Sequence, residues 1–108
     1  MSPLHVGICG GGFSGMALAW HLVAKGAWVT VLDRERPGCG GASSVAAGIL
    51  HPLTSRGKLI WKGEEGMEEA LKLVGIAEEA RGDEDGSGAG IIACQEILRP
   101  VMTAKQGK

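Results

Sequence analysis

No feature of the sequence restricts its fold more than Gly10-Gly11-Gly12-Phe13-Ser14-Gly15, a G-x-G-x-x-G run. What lies on either side gives the run its meaning. Residues 4–9 form a short, almost continuous apolar stretch that suits a strand buried on both faces. Residues 14–25 carry Ala, Leu, Met and Trp without a breaker, and Gly26 stands where a helix C-cap places a glycine. Residues 28–32, WVTVL, are β-branched and aromatic and read as a second strand. Strand, turn, helix and strand in this order predict a right-handed β-α-β unit of a parallel sheet.

Within that unit each glycine of the motif has a mechanical task. Gly10 allows the tight turn, Gly12 lets backbone approach a pyrophosphate, and Gly15 permits close packing of helix on strand. The helix start at Phe13 and Ser14 offers unpaired N–H groups and the positive end of a dipole to phosphate. Asp33 follows Gly10 by 23 residues, at the end of the second strand, where an acid accepts hydrogen bonds from adenosine ribose hydroxyls. A glycine turn that binds nothing is the bland alternative; the full context of strand, helix, strand and acid favours a dinucleotide site. Asp33 would repel a 2′-phosphate, so NADP is disfavoured despite the neighbouring Arg34, and FAD and NAD both remain.

Length and charge set outer limits. The chain of 108 residues has room for one domain with a modest core. With 11 basic and 12 acidic residues its formal net charge is −1, which gives no electrostatic reason to expect nucleic acid or an anionic membrane. Cys9, Cys39 and Cys94 are odd in number and lack a C-x-x-C pair, so a reducing, cytoplasmic setting is expected, with Cys9 a small buried residue. His5, His21 and His51 share no metal-ligand spacing with them, and no metal is expected. The apolar run 16–23 is interrupted by His21 and followed by Lys25, too short for a span of roughly 20 residues.

Beyond the first unit the pattern is looser. Residues 36–48 are rich in Pro, Gly, Ala and Ser and read as a loop with a short helix over 43–47. Residues 58–63 read as a connector. Met67, Ala70, Leu71, Val74 and Ala77 recur at helical spacing, predicting an amphipathic helix over 64–81, weakened at Gly75, with Glu64, Glu65, Glu68 and Glu69 on its solvated face. Residues 82–90 are acidic and glycine-rich, a flexible loop, 91–98 read as a strand, and a polar tail follows Pro100. The fold class is α/β: a Rossmann-like FAD/NAD(P)-binding β-α-β unit with a parallel sheet that is incomplete.

Residues 6–35, closing on Asp33-Arg34, resemble the opening of flavoproteins of the D-amino-acid oxidase and glycine oxidase superfamily. Residues 41–52, GASSVAAGILHP, resemble that superfamily's second cofactor segment, which a simple NAD dehydrogenase has no reason to carry. The resemblance implies FAD, with Ser43 and Ser44 near the phosphates or ribityl chain, and Ala46, Ala47 and Gly48 letting backbone approach the flavin ring. Ser43 and Ser44 also read as a helix N-cap pair. His51 beside Pro52 reads as structural.

Within the superfamily, residues 47–58 and 97–106 are most like the flavin domain of bifunctional enzymes that modify the tRNA wobble uridine, and of their plant and algal relatives. The resemblance implies oxidation of a C–N bond in a small amine or amino acid by hydride transfer to flavin. It brings in tRNA as a partner by family likeness alone. It also implies that residues 1–108 are the N-terminal part of an FAD-binding domain whose substrate domain is absent, so the sequence assigns no catalytic residue and the chain alone is expected not to be catalytically competent. An NAD-binding module and an inactive fragment are the alternatives.

Overall fold

The structure, a computed structural model, describes residues 2–82 and 90–96. Its elements are β1 (His5–Cys9), α1 (Phe13–Ala24), β2 (Trp28–Leu32), α2 (Gly41–Val45) and α3 (Gly63–Arg81). They fall into two compact units, one reaching to Ile49 and the other starting at Leu50.

In the first unit β1 and β2 pair in parallel, from His5 opposite Trp28 to Cys9 opposite Leu32. The ladder runs past both ends, since Trp28 N–H donates to the Leu4 carbonyl and Gly10 N–H to the Leu32 carbonyl, each at 2.8 Å. α1 packs against both strands. Strand alternation turns Val6, Ile8, Val29 and Val31 inward, and Ile8 and Ala19 are the buried apolar residues at the centre. The helix ends as Gly26 takes φ +84 and donates its N–H to Val23, while Ala27 N–H reaches back to Leu22. That pair of bonds needs a left-handed residue between them, which is why a glycine stands there.

The expectation of a strand buried on both faces is corrected. His5, Gly7 and Cys9 are exposed, as are Trp28, Thr30 and Leu32 beside them. Within the first unit α1 packs on this sheet, and one helix covers one face. Cys9 therefore points to solvent rather than into a core. On the open face the His5 Nε2 and Thr30 Oγ1 share a hydrogen bond of 2.8 Å. The short helix expected over 43–47 forms two residues earlier, and stops where Ala46 turns extended at φ −66 and ψ 149.

In the second unit residues 52–60, beginning ahead of the expected connector, form a small antiparallel loop. Leu53 bridges Leu59, Thr54 N–H donates to Lys58 at 2.7 Å, and Ile60 N–H to Pro52 at 2.9 Å. α3 follows and runs unbroken through Gly75, with Glu64 and Glu65 in its first turn and Arg81 in its last, the arrangement its dipole favours. Lys72 bonds Glu69 at 2.8 Å and lies 3.6 Å from Glu68, so the acids face solvent beside a lysine. Among the described residues no helix is long and apolar enough to cross a membrane.

Two expectations for this unit change. Leu71 and Ala77 are exposed, and the half-buried positions include Met67, Ala70, Leu73, Val74 and Glu78. Glu78 is drawn in because one carboxylate oxygen accepts the N–H groups of Ile91 at 2.8 Å and Ile92 at 3.2 Å. Those are donors a strand over 91–98 would spend on a ladder, and residues 91–96 are bends instead. The interior of the loop over 82–90, residues 97–98 of that strand and the tail lie outside the described residues.

Candidate functional site

Parallel pairing brings the C-terminal ends of β1 and β2 side by side, so the glycine turn after one meets the acid after the other. Gly11 N–H donates to Asp33 Oδ2 at 2.6 Å, and Glu35 N–H to Oδ1 at 2.9 Å. Gly38 N–H in turn donates to the Gly11 carbonyl at 2.9 Å. Gly11 is buried and has both its polar groups satisfied by the segment after β2. A Cβ there would stand 3.2 Å from Asp33 Oδ2 and 3.4 Å from Pro37 Cα.

The two N–H donors, Glu35 first and Gly11 second, hold the Asp33 carboxyl below its ordinary value; desolvation opposes them, and Arg34 adds in their sense. Asp33 stays exposed, and each of its oxygens keeps a second lone pair for a further donor. An ionised, solvent-facing acceptor thus sits against the turn.

The turn itself is shaped by what glycine omits. Gly10 has φ +110, outside the range of ordinary residues. A Cβ on Gly15 would collide with the Gly10 carbonyl oxygen, and would lie 3.5 Å from Ile8 Cγ2, so the helix rests directly on turn and strand. A Cβ on Gly12 would stand 2.8 Å from Ser43 Oγ. That hydroxyl accepts Phe13 N–H at 3.0 Å, while the Phe13 ring is 70% exposed. The first bond inside the helix is Met16 N–H to the Gly12 carbonyl, and the N–H groups of Ser14 and Gly15 have no acceptor among the described residues.

The structure therefore brings Gly10, Gly12, Phe13, Ser14, Gly15, Asp33 and Ser43 together. Ser44 Oγ donates to the Gly41 carbonyl at 2.8 Å, closing its own short helix. Arg34 is exposed beside Asp33 and lends it charge, and Ala47 and Gly48 are exposed as well. His51 Nδ1 accepts Leu53 N–H at 3.3 Å, a local turn contact in the second unit. Sequence reasoning missed Gly11, Glu35 and Gly38; the signal for Gly11 was a glycine filling one of the motif's free positions.

Chemically, the site joins two outward N–H groups at the positive end of a helix, a turn without side chains, and a charged acceptor. This set fits the ADP part of a dinucleotide, with donors for phosphate and an acceptor for ribose hydroxyls.

Comparison with known proteins agrees with this chemistry. The family model described as FAD dependent oxidoreductase matches residues 5–91. The tRNA 5-methylaminomethyl-2-thiouridine biosynthesis bifunctional protein of Thiobacillus denitrificans is 42% identical over 55 residues, 51% of this chain and 9% of its own length. Its counterpart in Paracidovorax citrulli is 34% identical over 95 residues, 83% of this chain and 14% of its own. An uncharacterized oxidoreductase of Bacillus subtilis is 47% identical over 49 residues, 45% of this chain and 13% of its own. The matches thus cover only 9% to 14% of the length of these curated relatives. No solved structure matches.

Proposed function

Because the chain belongs to the family of FAD-dependent oxidoreductases, we propose that residues 2–49 hold the ADP half of FAD, as the cofactor-binding portion of an enzyme that oxidises a C–N bond. The observation that carries this reading is the bond between Gly11 N–H and Asp33, which sets an ionised acceptor beside a turn bare of side chains.

On this reading the free lone pairs of Asp33 receive the adenosine ribose hydroxyls, and its charge turns away a 2′-phosphate. Ser14 and Gly15 direct their N–H groups to the pyrophosphate, at a turn where Gly10 and Gly12 carry no side chain. Arg34 adds positive charge nearby. Ser43 and Ser44 supply hydroxyls toward the phosphates or ribityl chain, and Ala47 and Gly48 let backbone approach the ring. Held by these residues, FAD would supply the oxidising chemistry, as acceptor of a hydride equivalent from a carbon bonded to an amine nitrogen. On this reading the site residues named above bind and orient the cofactor.

The substrate class we favour is a small amine or amino acid. Two of the relatives are named for the biosynthesis of a modified tRNA base, which makes an amine carried on tRNA part of the same class. A net charge of −1 gives this chain no surplus with which to hold RNA. The test is to mix the purified chain with FAD, remove free cofactor and add amines. The reading expects weak, reversible binding and no turnover. Tightly retained flavin that amines bleach would overturn the assignment of this chain to cofactor binding alone.

A further inference from the structure

The residue that opens α1, Gly12, has no side chain with which to cap the helix. Helices that start this way leave their first N–H groups to water or to another segment. Here the first of them, Phe13 N–H, is taken by Ser43 Oγ at 3.0 Å, from 30 residues further along the chain. The same hydroxyl occupies the space a Gly12 Cβ would need, at 2.8 Å, and Ser43 Cβ would be 3.6 Å away; apart from Gly12 and its chain neighbours Gly11 and Phe13, no other atom of the described residues comes within 4 Å of that position.

The backbone of Gly12 does not demand glycine. Its φ of −80 and ψ of −170 are ordinary extended values that any residue adopts. Space is the constraint, and in this structure Ser43 makes it. Ser44, the adjacent hydroxyl, bonds the Gly41 carbonyl instead, so the two serines have separate work.

We propose that Ser43 is a positioning residue that caps α1 from outside the helix, holding α2 on the glycine turn, and that Gly12 is glycine to leave room for it. The consequence for cofactor binding rests on the proposed function: with α2 fastened in this way, the turn and the second cofactor segment present themselves to FAD as one surface. Ser43 then acts on FAD through the start of α1, and not only through its own hydroxyl.

The test uses the full chain and three variants, Ser43→Ala, Ser43→Thr and Gly12→Ala, with the double variant Gly12→Ala/Ser43→Ala. In the chain without dinucleotide, Ser43→Ala should speed hydrogen exchange of the Phe13 amide roughly five- to tenfold, the loss typical of a capping hydroxyl, and Ser43→Thr should restore protection. Unchanged Phe13 exchange in Ser43→Ala would overturn the proposal. Gly12→Ala should weaken FAD binding severalfold in the native chain. In the Ser43→Ala background the same change should do little, because the space is then free; equal, additive losses would mean that the cofactor and not Ser43 requires glycine, and would overturn the proposal. Ser43→Ala should itself weaken FAD binding with far-ultraviolet helix content unchanged, and Ser43→Thr should recover it. Released Phe13 exchange with unaltered FAD affinity would refute the positioning role. Failure of the unaltered chain to bind FAD would refute the proposed function alone, with the cap still decided by Phe13 exchange.

Discussion

Gly11 donates its backbone N–H to Asp33 Oδ2 across 2.6 Å, tying the turn after β1 to the first residue after β2. The acid thereby has two tasks that do not compete. Its bonded lone pairs fix the turn, and its remaining ones face solvent.

The tie should depend on pH in a defined direction. Backbone N–H groups of Glu35 and Gly11 lower the Asp33 carboxyl from its ordinary 3.8. A group lowered on folding contributes stability that is present above the unfolded value and is lost as pH falls through the folded one. The Gly11 amide shift, followed by NMR, should hold steady from about pH 7 to about pH 5 and then titrate with a midpoint under 3.8. A midpoint at or above that value would contradict the bonding described.

Asp33→Asn leaves one acceptor oxygen where two N–H groups are now bonded, and removes the charge. FAD affinity should fall by roughly ten- to a hundredfold, the range for losing a charge-assisted hydrogen bond. The acid titration of the Gly11 amide should vanish as well. A flavin fluorescence titration and the same NMR series check both.

Gly15 and Gly66 offer a matched pair. A Cβ on Gly15 meets the Gly10 carbonyl oxygen, whereas one on Gly66, in α3, meets nothing within 4 Å. Gly15→Ala should destabilise the chain by about 1–3 kcal/mol, as overpacking does. Gly66→Ala should stabilise α3 by up to about 1 kcal/mol. Thermal unfolding followed by circular dichroism reads the opposite shifts.

Cys9, Cys39 and Cys94 are all exposed. Under native conditions a thiol reagent should label all three at comparable rates, as counted by mass spectrometry. Labelling of Cys9 only after denaturant would restore the covered strand face that sequence pattern suggests.

Much of the first unit was legible because its signals are local. Strand pattern, glycine turn, unbroken helix and Gly26 each act within a few residues, and β1, α1 and β2 form where they indicate. Asp33 was legible by spacing. What stayed hidden depends on chain meeting chain. Nothing in Ser43 announces that it caps a helix 30 residues earlier, and Gly11 looked like a free position until its N–H and carbonyl found partners after β2. The apolar run of β1 promised cover on two faces, but cover is supplied by neighbours, not by the run. Glu78 belongs by chemistry with its acidic neighbours, and two backbone N–H groups draw it aside.

The claim that this chain holds the ADP half of FAD is tested most directly by an equilibrium titration of FAD with ADP and NADP as competitors. FAD should bind saturably, one per chain, ADP should displace it, and NADP should compete far less well because its 2′-phosphate meets Asp33. Absence of saturable FAD binding, or binding that ADP leaves untouched, would contradict the claim.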